Sequence, residues 1–322
     1  MIARYGSLGL VLAGIALAVT LPRVLYSVLA LDILLWGLFA MSVDLLLGFA
    51  GLLSFGHAAF WGLGGYGAAI LAKQLELPFP VAVAAGVALA MLLAVPLGFL
   101  AIRRRGIYFA MVTLAFAQML FYVVNEWRDV TGGENGVQGV PRLLPGLAVS
   151  RSSDFYYAAL PLVLLGYLFA WRIVRSPFGH VLVAIRDNEA RAEALGYDVS
   201  RYKLVAFVLS AGLAGLAGAL FGIGHGLASL DLLHWTTSGT AVVMTVLGGI
   251  GTLWGSLLGA AVVLLLRDWL TGSFAEASGV VTGAILIAIV LGFRRGVWPA
   301  LVAVPSRLAG RLRARAQTLP RA

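Results

Sequence analysis

The sequence predicts an all-α, polytopic bundle of about ten membrane spans. Three observations carry that class. Of 322 residues, 61% are hydrophobic and 11% are charged, less than half the charge of a soluble domain. Apolar runs approaching the ~20 residues that a bilayer demands recur between Gly- and Pro-bearing breaks. Basic residues also gather in alternate connections, the mark of a fixed orientation across a membrane. The chain has no Cys, which excludes disulfides, thiolate metal sites and a Cys nucleophile.

In order, Gly6–Leu21 is the first expected span, closed by Pro22 and Arg23. Arg4 is its only early positive charge and no small-residue cleavage site follows, which favours a span over a signal peptide. Val24–Ala50 is the second and carries Asp32 and Asp44. Gly51–His57 (GLLSFGH) interrupts it, and Ala58–Ala72 follows. Next come Pro78–Ile102, ended by three arginines at 103–105, and Ile107–Val124. A mixed-charge loop at 125–154 leads to Phe155–Ile173, and the polar stretch Ser176–Lys203 leads to Leu204–Ile223. Thr237–Ile250, Thr252–Leu266 and Val280–Phe293 complete the ten. Gly51–His57 and Gly248–Gly251 are read either as loops or as breaks within spans.

With both termini and the 176–203 loop in the cytoplasm, 17 of the 23 basic residues lie inside. The 125–154 loop then lies outside, in the direction the positive-inside rule requires. Residues 1–305 form one transmembrane domain, and 306–322 a basic cytoplasmic tail. Two small-residue ridges, Ala214/Gly218/Gly222/Gly226 and Gly251/Gly255/Gly259, are expected to let backbones approach closely.

Several chemical motifs are excluded. Gly62–Gly67 satisfies G-x-G-x-x-G, but it lies in an apolar run with no preceding strand. Neither lysine, Lys73 or Lys203, follows a Gly, so no phosphate-binding P-loop is present. The four His residues lack metal-ligand spacing, and Ser54 with His57 has no evident orienting partner. No nucleic-acid partner is implied, because the net charge of +9 follows the loops.

Three features carry functional weight. Asp44 lies beside the break holding Ser54 and His57; an acid in a span faces a wet cavity or a bundle interior. In transporters, broken helices line the solute path. The alternative is structural hydrogen bonding. The outer loop contains Gly132-Gly133-Glu134-Asn135-Gly136, which predicts tight turns in a connection long enough to dock a partner. In the 176–203 loop, Asp187 or Asn188 caps a short helix whose C′ residue is Gly196. Ala190 and Ala194 form a smooth face, with Glu189 and Glu193 on its neighbour and Arg186 nearby. Such a helix suits another protein's groove, or it is a solvated connector.

The stretches GFAGLLSFGHAAFWGLGGYGAAIL (48–71), RGIYFAMVTLAFAQM (105–119), TGGENGVQGVP (131–141), 176–220 and LGGIGTLWGSLLGA (247–260) resemble, in order, the LivM-type permeases of branched-chain amino-acid ABC importers. The resemblance covers most of residues 40–295. It implies a non-catalytic inner-membrane permease without a cofactor of its own, ATP and Mg being bound by partner subunits. It further implies a homologous second permease, two cytoplasmic ATPases and a periplasmic binding protein. Arg186–Gly196 would then be the coupling helix docked on the ATPase. Relatives of this type carry branched-chain and other amino acids, urea or short amides, or small aromatic acids. An ion-coupled secondary transporter using Asp44 is the alternative of another class. An embedded enzyme lacks a catalytic set.

Overall fold

The computed structural model describes residues 14, 18–144, 147–148, 151–273, 283–284 and 296–299. The expected first span, for the most part, the expected last span and the basic tail lie outside the described residues. Apart from the single turn Arg128–Thr131, ten helices organise what is described: α1 (Ser27–Asp44), α2 (His57–Gln74), α3 (Phe79–Ala101), α4 (Ile107–Glu126), α5 (Ser152–Val174), α6 (Pro177–Asp187), α7 (Glu189–Ala194), α8 (Val199–His225), α9 (Trp235–Gly248) and α10 (Trp254–Ser273). A wide π-helical segment, Leu45–Ala50, extends α1. Two short antiparallel pairings, Val137–Gln138 with Leu227–Ala228 and Leu143–Leu144 with Leu147–Ala148, lie outside the bundle.

Among the described residues, six helices are long and apolar enough to cross a membrane: Ser27–Ala50, Phe79–Ala101, Ile107–Glu126, Ser152–Val174, Val199–His225 and Trp254–Gly272. α2 and α9 occupy two further expected spans but fall short of that criterion. At 14 residues, α9 reaches only about 21 Å. α2 carries polar and Gly residues because it meets protein instead of lipid, from Phe60 and Trp61 through Ala69.

α8 is the central post. α2 and α3 pack along it, and α1 and α5 flank it. Gly218 of α8 sits against the Trp61 carbonyl, and Gly64 of α2 against Gly215, so closely that a Cβ on either would collide with backbone. Such contact substitutes for hydrophobic drive, which lipid removes. Trp36, Phe39, Trp61 and Phe221 tie α1, α2 and α8 together with ring centroids 4.6–5.3 Å apart. The two glycine ridges are shorter than expected. Gly226 has φ +67° and caps α8, while Gly251 (φ +76°) lies in the turn before α10. Ala214, Gly218 and Gly222, and Gly255 and Gly259, remain as helical packing positions.

Contacts at each end join the connections that alternation assigns to one side. The arginine-rich end gathers the π-helical end of α1, the α3–α4 turn, α6, α7 and the α9–α10 turn. The opposite end gathers Asp32 with His225, Tyr26 with Asp268, and Lys73 with the Gln138 carbonyl.

Candidate functional site

The 176–203 segment folds as a chain of capped starts. The Ser176 hydroxyl accepts from Gly179 N–H before Pro177, at the first position of α6. Asn188, of the two candidates for capping α7, accepts from Arg191 N–H at 2.9 Å, and Asp198 accepts from Arg201 N–H to open α8. α7 ends as expected: Gly196 (φ +89°) donates to the Glu193 carbonyl, and Tyr197 donates to the Ala192 carbonyl. That pair of bonds is a Schellman close.

The same segment is braced from beneath. Ala192 packs with Ile185 and Val199 in a small separate core. Glu189 pairs with buried Lys203 at 2.8 Å and with Arg105 at 3.2 Å, while Glu193 meets Arg105 at 3.5 Å. What α7 turns outward is therefore Ala190, Ala194 and Gly196, together with Leu195 at 72% exposure and Tyr197 at 41%. A rigid, small-residue face bordered by an exposed Leu is an arrangement fit for a groove.

Arg186 connects this platform to the bundle. Its guanidinium donates to the Gly48 carbonyl at 2.5 Å and holds Asp187 at 2.9 Å. Gly48 sits in the π-helical end of α1, where carbonyls lack a helical partner. Beside it, Asp44 accepts from Gly251 N–H at 2.7 Å and from Leu253 N–H at 2.9 Å. Gly48 permits this junction, since a Cβ there would strike both the Asp44 carboxylate and Gly251. Three elements thus meet at one point: the end of α1, the α9–α10 turn and α6.

Beyond the junction the chain turns back. Gly51 adopts φ +71°, and Leu52, Ser54 and Gly56 are buried while the residues between them are less so, the period-2 pattern of extended backbone. His57 Nε2 lies 2.7 Å from Ser210 Oγ. Ser210 is eleven residues into α8, about 16 Å from its start, a rise that six extended residues can span at about 3.3 Å each. Gly51–His57 is therefore neither an external loop nor a simple kink. Ser210 donates to the Ser42 carbonyl, so its oxygen accepts the His57 Nε2 proton and the tautomer is fixed. Ser238 of α9 caps α2 by accepting from Ala58 N–H, and Ser54 accepts from Gly56 N–H.

Asp44, Ser54 and His57 are all buried, and no hydrogen bond joins one to another. Each holds backbone or a neighbouring helix in place. In the 125–154 loop, Gly132, Gly133 and Gly136 all have positive φ. Gly133 and Gly136 are buried, with Gly136 pressed against the Ala228 carbonyl. Thr131 donates to the Val124 and Trp127 carbonyls. Glu134 and Asn135 remain exposed at its tip.

Sequence reasoning missed Gly48, Gly251, Leu253, Lys203, Ser210, Leu195 and Tyr197. Backbone acceptors and donors leave no mark in a residue string. Leu195 does: it is an apolar residue just before the C-capping glycine of a helix otherwise polar and small.

Residues 25–290 match the profile of a family described as branched-chain amino acid transport system / permease component. The high-affinity branched-chain amino acid transport system permease protein LivM of Salmonella typhimurium is 31% identical over 287 residues, covering 80% of this chain and 66% of the relative. Its Escherichia coli counterpart is 30% identical over 283 residues with the same coverage. The autoinducer 2 import system permease protein LsrC of Klebsiella pneumoniae is 34% identical over 142 residues, 40% of this chain and 39% of the relative. The chain thus spans just under two thirds of the length of the two LivM relatives. No solved structure matches it significantly.

Proposed function

The chain belongs to the branched-chain amino-acid transport permease family and is a multi-pass protein of the bacterial inner membrane, and from that premise we propose that it is the membrane subunit of an ATP-driven importer. Its solute is a branched-chain amino acid or a related small polar molecule handed over by a periplasmic binding protein. A homologous permease and two cytoplasmic ATPases complete the assembly, and ATP and Mg bind in the ATPases. The arginine-rich end faces the cytoplasm, and about ten spans cross the membrane.

One observation carries the reading: α7 presents Ala190, Ala194 and Leu195 from a braced platform whose neighbour α6 grips the end of α1 through Arg186. Closure of the ATPases on ATP moves α7, and the Ile185–Ala192–Val199 core carries that motion into α8. Arg186 carries it into the Leu45–Ala50 segment at the same moment. Two packed arrangements of this junction would correspond to the two faces of alternating access. Ion coupling through Asp44 draws little support, since both its oxygens already accept backbone N–H groups.

Retention of the ATPase in detergent tests the docking. Ala194→Trp is expected to reach the membrane normally yet lose the ATPase in a pull-down. Undiminished retention and uptake would reduce α7 to a connector.

A further inference from the structure

α3 and α5 both lean on α8, and between them lies a cavity of about 590 Å³. Among the described residues its walls include Val87 and Met91 of α3, Leu168 and Arg172 of α5, and Gly212 and Leu216 of α8. Met91 lies over Gly212, where any Cβ would press on its thioether. Every wall is apolar but one. Arg172 stands two residues from the end of α5, at the arginine-rich end, exposed and without an ion pair or hydrogen bond among the described residues. Its neighbour Arg175 is instead stacked on Trp171, and Arg103 on Phe99.

We propose that this groove is a binding site for one anionic phospholipid of the cytoplasmic leaflet, with an acyl chain between α3 and α5 and its phosphate on Arg172. A guanidinium offers a fork of donors matched to phosphate, and basic pockets between spans on the cytoplasmic side take anionic head groups. Charge favours a lipid over a partner helix: a guanidinium without an ion pair among the described residues borders an otherwise apolar groove, the match for an anionic head group joined to an acyl chain. The site rests on the cytoplasmic placement of the arginine-rich end but not on which solute is carried, and lipid retention is read separately from uptake.

The purified complex is delipidated, offered equimolar phosphatidylglycerol and phosphatidylcholine of identical chains, and read by native mass spectrometry. The parent is expected to retain phosphatidylglycerol about tenfold over phosphatidylcholine. Arg172→Gln should bring that ratio near one while still holding lipid, and Leu216→Trp should lower retention of both. Arg175→Gln should leave the preference unchanged. A ratio near one in the parent, or a preference surviving Arg172→Gln, overturns the proposal. So does a photoreactive group at Leu168 that captures a peptide segment instead of lipid.

Discussion

Two polar segments lie at opposite ends of the bundle, and both have the length and composition of docking elements. Residues 125–154 spend their special residues on themselves. Their glycines take up left-handed backbone, Thr131 closes a turn, and a two-residue strand ties the loop to Leu227–Ala228. Glu134 and Asn135 stand exposed at the tip. Residues 176–203 do the reverse. Caps and ion pairs stiffen them from within, and the surface so fixed is turned away from the chain. A loop that merely closes needs glycines inside; a loop that transmits force needs anchors beneath and a smooth face above.

Substitutions at the two segments separate these roles. The largest effect is expected from Gly136→Val, which drives a Cβ into the Ala228 carbonyl at φ +64°. With ψ −172° this backbone lies in a region kept almost wholly to glycine and costs a residue with Cβ about 1–3 kcal/mol, and the collision adds to it. Reduced yield and a lowered unfolding midpoint in detergent would report this. An unchanged midpoint would show that the 125–154 loop is not part of the folded body. Ala194→Trp comes next, with stability unchanged and ATPase affinity weakened by about 1–3 kcal/mol, the usual range for a misfit in a packed site. Titration of the ATPase against the solubilised permease measures it.

Asp44→Asn removes one of two acceptors and should lower stability by about 1–3 kcal/mol, the range for a buried N–H left unpaired. If uptake in that variant tracks the amount of folded protein, Asp44 is a structural cap; a loss of uptake at full expression would restore it to the solute path. The smallest effects belong to Glu134→Ala and Arg191→Ala, both exposed. Neither should move the unfolding midpoint, and only Glu134→Ala should weaken stimulation by the binding protein.

Much of the helical outline was legible in the residues, because apolar runs and polar breaks are local. The cap at Asn188, the close at Gly196 and the outward Ala190–Ala194 face were legible for the same reason. What escaped was long-range. Arg186 reads as part of the docking segment, and its 138-residue reach to Gly48 has no mark in the string. Asp44 reads equally as an acid on a solute path or as a structural acceptor, and the two amides it accepts from lie 207 and 209 residues away. The return of residues 51–56 into the bundle depended on Ser210, which no nearby pattern announces. α2 reads as a span by its apolar run, yet its glycines meet protein: Gly64 and Gly65 face α8, Gly67 faces α3 and Gly62 faces Leu233.

The central claim is that Arg186 joins the α6–α7 platform to the end of α1. Its direct test is the number of ATP molecules hydrolysed per solute imported, measured on Arg186→Gln in proteoliposomes containing the assembled complex and binding protein. The shorter amide cannot hold the Gly48 carbonyl, so assembly and hydrolysis should persist while uptake falls about tenfold, corresponding to ~1.4 kcal/mol of lost coupling. A parental ratio of hydrolysis to uptake in that variant would contradict the account.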